Sequence, residues 1–339
     1  MTKQRYNAAI QRAKGLLELA SALYDTSLSH QTRRAAEGVL QTDSRVGYYV
    51  QLALLPRGKQ DNCISIAFAA DSFRELKMLA DGKISVAWIN PSASVTLALR
   101  GTGPLRGRMP LRTIAVFPSW DVMGFAVHRS TGITSLRQIK EQHFPLKLST
   151  EPLSKRDLIE SPVTFTVSAA LKAAGFTFAD IRKWGGKIQA VSRPSHPDRR
   201  AGIEEGTIDA VFDEGIKSWG QSALDHGFRY LPIEGAVLKR LTAMGYRPAL
   251  VPKSHFKGMA HDVPTIDFSG WPMVVCADMP NEVAYALCEA IEAKKKLIPS
   301  DNFKPLNMAQ LCANDEEAPY DVPLHPGAQR FYRERGYLK

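Results

Sequence analysis

Residues 69–92, AADSFRELKMLADGKISVAWINPS, are the stretch around which the rest of the chain has to be arranged. They read as loop, helix, turn, strand and loop. Ser72 stands where a helix N-cap belongs, and Glu75 follows three residues later, as in a capping box. Phe73, Leu76, Met78 and Leu79 give one apolar helical face, and Asp81-Gly82 ends it. Ile84–Ile89 is a β-rich run too apolar for a surface strand, which predicts burial on both faces. Asn90-Pro91-Ser92 breaks the strand at its carboxyl end. Ligands of open α/β sheets bind beyond the carboxyl ends of parallel strands and at helix N-termini. This unit presents both, although an ordinary βα repeat without a ligand has the same pattern.

The segment has an echo. Gly82-Lys-Ile-Ser-Val-Ala-Trp88 is matched by Gly206-Thr-Ile-Asp-Ala-Val-Phe212, followed by the polar Asp213-Glu214-Gly215. Two α/β lobes of like design account for it. A second informative unit is Ser161–Gly175, where Ser161 before Pro162 is an N-cap and N1 pair and Gly175 closes the helix. Thr164 and Thr166 sit in its first turns, where hydroxyls and exposed amides favour an anion, or merely cap the helix. Residues 1–40 have helical apolar spacing and are read as an accessory arm that packs on the body or joins two subunits. Gly47-Tyr48-Tyr49 is read as a loop entering a helix, Tyr230–Ile233 as a strand between lobes, and Tyr246–Asp267 as irregular.

Composition narrows the function classes. A hydrophobic content of 44% and mean hydropathy of −0.20, with no apolar run near the ~18 residues of a membrane span, describe a globular chain. No signal peptide is visible at residues 1–25, so the chain as it stands is expected in the cytoplasm, with the periplasm as the alternative if a signal has been removed. The net charge of +10, from 44 Lys+Arg against 34 Asp+Glu, favours anionic partners. No nucleic-acid motif accompanies it, and a small acid is the expected ligand. The four cysteines lack metal spacing; Cys63, Cys276 and Cys288 are expected as buried free thiols. No metal and no cofactor is expected.

The C-terminal PLHPGAQRFYRERGYL resembles the signature of the TAXI family, the solute receptors of TRAP transporters. The resemblance covers roughly residues 38–338. It includes FAADSFRELKMLADGKISVAWINPS, STGITSLRQIK, SPVTFTVSAALKAAGF, EEGTIDAVFDEG, DVPTI and ADMPNEVAYALCEAI. It implies an α/β, two-lobed periplasmic-binding-protein-like fold of type II with hinge closure on a ligand. The N-terminal arm would be 1–37, lobe 1 residues 38–124 and 234–339, and lobe 2 residues 125–233. Carried over by position, Tyr48, Ser72, Asn90, Trp120, Ser161, Thr164, Asp213 and Glu214 fall at or near the cleft. The family's ligands are small acids, and its partner is a TRAP permease where the receptor is exported. The family's glycine-rich loops are replaced here by Thr42–Gly47 and Ala69–Ser72. Arg45 offers a bidentate carboxylate contact, while Asp71, Asp213 and Glu214 suit an amine or hydroxyls; Arg45 and Asp71 pairing together is the structural alternative.

The function expected is binding of a small organic acid, an amino acid or a di- or aromatic carboxylate, without catalytic residues. An enzyme on the same scaffold is the alternative; it would draw on His128, His196, Asp213 and Glu214. A sensor dimerised through the N-terminal helices is the third reading.

Overall fold

In a computed structural model, which describes residues 39–43, 47–53, 63–68, 72–153, 159, 161–295 and 306–339, strands and helices alternate into a mixed α/β fold. The chain forms two units. Unit 1 takes the chain up to Gly101, Leu105–Trp120 and Ser269–Lys339; unit 2 takes Thr102–Pro104 and Asp121–Phe268. The N-terminal arm, Arg45, Asp71 and the Cys63 side chain lie outside the described residues.

Unit 1 opens with β1 (Val39–Asp43), β2 (Gly47–Ala53) and β3 (Cys63–Phe68), an antiparallel run. Gly47-Tyr48-Tyr49 is therefore strand rather than a loop entering a helix. Tyr48 pairs with Thr42 and Phe68. Tyr-Tyr-Val is β-prone, and pairing on both sides satisfies its backbone groups. Val39 and Leu40, read as helical, begin β1 for the same reason. Next come α1 (Ser72–Ala80), β4 (Val86–Trp88), α2 (Ser92–Arg100) and β5 (Leu111–Phe117). β3 and β4 run parallel, with Phe68 beside Trp88, so the chain needs the α1 crossover between them. All three residues of β4 are buried, as the unbroken apolar run requires. α1 buries Phe73, Leu76 and Leu79, and Gly101, at φ +70°, ends α2 with its amide turned back to Ala98 and Leu97.

Unit 2 contains β6 (Gly124–His128), α3 (Leu136–Glu141), β7 (Lys147–Thr150), α4 (Pro162–Ala174), α5 (Phe178–Lys183) and β8 (Lys187–Ala190). It continues with α6 (Pro197–Glu204), β9 (Ala210–Asp213), α7 (Ile216–Asp225), β10 (Phe228–Tyr230), α8 (Gly235–Met244), β11 (Pro248–Val251) and β12 (Val263–Ile266). The main sheet is ordered β10-β6-β9-β7-β8. β7 is parallel to both β8 and β9, while β6 is antiparallel to β9 and β10. Tyr230 thus closes an edge strand of this sheet. β11 and β12 form a two-stranded antiparallel ladder inside 246–267, read above as irregular. Pro248 opens one strand and Pro264 lies in the other, where proline withholds an N–H but its carbonyl remains an acceptor. Residues 234–268, placed with lobe 1 by the sequence, pack with unit 2. Ile233 N–H donates to Pro264 O at 2.8 Å, Thr265 Oγ1 to Met123 O at 2.5 Å, and Tyr246 and Thr166 hydroxyls meet at 2.6 Å.

The chain returns to unit 1 as β13 (Trp271–Cys276), α9 (Asn281–Lys294) and α10 (Pro326–Glu334). β13 inserts antiparallel between β4 and β5, completing the order β1-β2-β3-β4-β13-β5. The core on α9 and α10 includes Leu287, Ile291, Phe331 and Tyr332, all without exposure. Cys276, Cys288 and Cys312 are free thiols; the last two are buried, and burial pushes the Cys312 thiol up to about 11. His325 caps α10: its Nδ1 accepts from Gly327 N–H at 3.1 Å, and its Nε2 lies 2.9 Å from Met279 O. Among the described residues, no helix is long and apolar enough to cross a membrane. Phe331 packs edge-on to Tyr285 and Tyr332. Phe331→Ala should therefore cost about 3–5 kcal/mol, read as a lower urea midpoint at unchanged slope.

Candidate functional site

The carboxyl ends of the parallel strands gather polar groups in each unit. In unit 1, β3 leads into α1 and β4 into α2. Ser72 is the first residue of α1, and its hydroxyl meets the chain that leaves β4. Its Oγ accepts from Asn90 N–H at 3.0 Å and donates to Asn90 O at 2.5 Å. That pair of bonds fixes the backbone leaving β4. The Asn90-Pro91 peptide is cis, and α2 starts at once. Pro91 is its N-cap and has no side chain to offer the first amides. Ser92 and Ser94, only 6% and 1% exposed, line the first turn, and neither Oγ has a hydrogen-bond partner among the described residues. Buried hydroxyls are rarely left without one. Gly270, at φ +80°, backs this turn: a Cβ there would stand 2.5 Å from Ser92 Oγ.

Of the other residues expected here, Asn90 is half-buried and its side chain makes no hydrogen bond among the described residues. Trp120 is half-buried at the end of the Leu105–Trp120 segment. Tyr48 is placed by its backbone in β2, with its side chain outside the description.

In unit 2 the ends of β7 and β9 bring four carboxylates to one end of the sheet. Glu151 follows β7, Asp213 and Glu214 end β9, and Asp121 precedes β6, whose Gly124 pairs with Asp213. Arg199, from α6, reaches in with no exposure. Its guanidinium bonds Asp213 Oδ2, Ser149 Oγ at 3.2 Å and Pro194 O at 3.0 Å. Asp121 accepts from Val122 N–H and Gly215 N–H, each at 2.8 Å. Ser161 caps α4 by accepting from Thr164 N–H at 3.1 Å, and donates to Glu151 Oε2 at 2.5 Å. Thr164 Oγ1 donates to Pro152 O at 3.0 Å. Thr164 and Asp213 are thus held by internal partners, and the backbone N–H of half-buried Glu214 donates to Asp213 Oδ1 at 2.8 Å.

Electrostatics follow from this crowding. Burial raises the Asp121 carboxyl to about 7, although the Gly215 and Val122 amides pull the other way. Burial and then the charges of Asp121, Glu151 and Asp213 hold Glu214 well above the usual carboxylate range. Burial raises Asp213 also, against the pull of Arg199.

Asp121, Glu151, Arg199, Ser92 and Ser94 were not singled out in the sequence. Glu151 and Asp121 flank strands whose apolar patterns are visible, so position after or before a strand was the available signal. The histidines considered for catalysis are caps. His128 Nδ1 meets Ser130 N–H and Oγ, and His196 Nδ1 accepts from Asp198 N–H. Among the described residues, no three His, Cys, Asp or Glu side chains converge to hold a metal ion.

Residues 216–336 match the model of the NMT1-like family, spanning the end of unit 2 and the return segment of unit 1. The TAXI assignment rests on the sequence resemblance alone. Solved structures similar to this chain include a Xanthomonas citri protein bound to ATP, with 16% identity, 80% of this chain and 86% of that one covered, and a TM-score of 0.38. The periplasmic aliphatic sulphonate binding protein SsuA of Escherichia coli gives 14%, 78% and 75%, and 0.33. The L-cystine solute receptor of Neisseria gonorrhoeae, unliganded and open, gives 12%, 74% and 74%, and 0.27.

The raised Glu214 carboxyl has a consequence for stability. It keeps a proton in the folded chain that the unfolded chain has released, so its contribution falls as pH rises from about 4.3 through its folded value. Glu214→Gln removes that loss. The variant should match the parent at about pH 4.5 and melt above it at about pH 8. Equal melting at both pH values would show that Glu214 ionises freely.

Proposed function

We propose that this chain binds a small organic solute, without covalent chemistry, at the carboxyl ends of its parallel strands. The observation that carries the reading is the start of α2. A nine-residue helix begins at a proline that cannot cap it, and two buried serine hydroxyls there have no partner among the described residues. The positive end of the helix and the two O–H groups suit a carboxylate or another oxyanion. Ser72 supports the reading as a positioning residue, because it holds the Asn90 backbone from which α2 springs.

The TAXI resemblance supports the finer statement that the solute is a small organic acid and the chain a TAXI-type receptor. In that role it would be exported and would hand its ligand to a TRAP permease. The capping roles of His128 and His196 weigh against the enzymatic alternative.

Native mass spectrometry of the purified chain, with a thermal-shift screen of succinate, glutamate and benzoate, tests this. An acid should be retained unchanged and raise the melting temperature. Ser92→Ala with Ser94→Ala should weaken its binding about tenfold, the loss of one or two charge-assisted hydrogen bonds. Turnover of the bound acid would overturn the reading, as would acid binding at full strength in the double variant.

A further inference from the structure

We propose that the groove between α4 and α8 in unit 2 is a second ligand site, which takes a small amphiphilic acid: a free carboxylate carrying an aliphatic or aromatic tail. It is a different place from the start of α2, which belongs to unit 1. The groove has a volume of about 560 Å³, and its lining includes Phe165, Ala169, Lys172 and Ala173 of α4 with Arg240 and Met244 of α8. That volume falls in the range of small-molecule sites.

The sequence explains the hollow. α4 turns Val163, Val167, Ala170 and Leu171 into the core. Phe165, Ala169 and Ala173 recur at four-residue spacing on its other side, where they are half-buried. Two of the three are alanines, too small to fill the space beside α8. In α8 only Leu241 is buried. Val237, Leu238 and Met244 are half-buried, so the apolar face of that helix is incompletely covered.

The groove has two unlike ends. The hydroxyls of Tyr246, just past α8, and Thr166, near the start of α4, meet at 2.6 Å. Arg240 and Met244 of α8 nevertheless share the groove with Lys172 and Ala173, near the end of α4, so the helices run antiparallel. Six residues on from Thr166 is Lys172, and six back from Tyr246 is Arg240. A helical rise of about 1.5 Å per residue puts each about 9 Å from the tie. The two cations thus come level at one end, and Phe165 and Met244 lie at the other. Both cations are exposed, and neither side chain has an ion pair or hydrogen bond among the described residues. No acidic residue lines the groove among the described residues.

The occupant follows from this polarity. An anionic head between Lys172 and Arg240 offsets their mutual repulsion. A tail laid over Ala169 toward Phe165 and Met244 removes half-exposed apolar surface from water, and the flexible Met244 adapts to its shape. Exposed cations each contribute modestly, so the tail is required as well as the head. A short dianion such as succinate would set its second charge on the apolar end, and a cationic amphiphile is repelled at the basic one.

The full chain is titrated by calorimetry with octanoate and 3-phenylpropionate below their micellar concentrations, and with octylammonium and succinate in parallel. At least one amphiphilic acid should bind, and should still bind in the Ser92→Ala, Ser94→Ala variant, which separates this site from the start of α2. Lys172→Gln with Arg240→Gln should lower that affinity about three- to tenfold and leave any succinate response in place. Lys172→Glu with Arg240→Glu should pass the preference to octylammonium. Ala169→Phe, which fills the groove, should abolish binding; the charge variants alter exposed side chains only, so the test does not depend on the filled variant folding. No response to either amphiphilic acid overturns the proposal and leaves the solute-binding reading standing. Equal binding of octylammonium by the parent chain overturns it, as does acid binding that survives the charge variants or is lost with the two serines. Attachment to phosphatidylglycerol vesicles or to an acidic amphipathic peptide, without binding of the free acids, overturns it in favour of a membrane or a protein partner.

Discussion

A guanidinium with no exposure to water holds the polar end of unit 2 together. Arg199 ties α6 to the end of β9 through Asp213, to β7 through Ser149, and to the loop after β8 through Pro194 O. Three successive strand ends are fixed by one side chain. A buried ion pair of this kind contributes little net stability over an apolar substitute, but losing one partner strands a charge and costs several kcal/mol. Its value lies in position. With Asp213 committed to Arg199, the charges of Asp121, Glu151 and Asp213 add to burial in raising the Glu214 carboxyl.

Two helix starts show how similar sequence signals end differently. α4 begins Ser161-Pro162, and its hydroxyls are used internally: Ser161 caps Thr164 N–H and reaches Glu151, while Thr164 bonds Pro152 O. α2 begins Pro91-Ser92, one residue out of phase with that arrangement. Proline takes the capping position, and the serines fall inside the first turn with their hydroxyls unspent. The first helix end satisfies itself. The second leaves groups that a bound oxyanion can satisfy.

The sequence was most legible where structure is local. The α1–β4 unit, the Ser161–Gly175 helix, the buried strand at Ala210–Asp213 and the C-terminal helix all follow from apolar period and end signals within about fifteen residues. It was least legible where a partner is distant. Ser72 looked like a cap because the residue that takes its hydroxyl is eighteen positions away. The 248–266 ladder looked irregular because a proline falls in each strand and the two partners are far apart in the chain. α2, SASVTLALR, has too many small and β-branched residues to announce a helix. Arg199 sat in a polar loop-like run, and only the fold shows that it turns inward.

The charge of the site was the least accessible property of all. A net charge of +10 sums the whole surface, and it bears on solubility and encounter rather than on any one cavity. Local sign is set by which charges the strand ends bring together. At the end of unit 2 the strands deliver acids from positions 121, 151, 213 and 214, and the nearest buried base is committed to one of them. A basic chain thus carries an acidic end, and the expectation of a purely anionic ligand, drawn from the sum, does not extend to it.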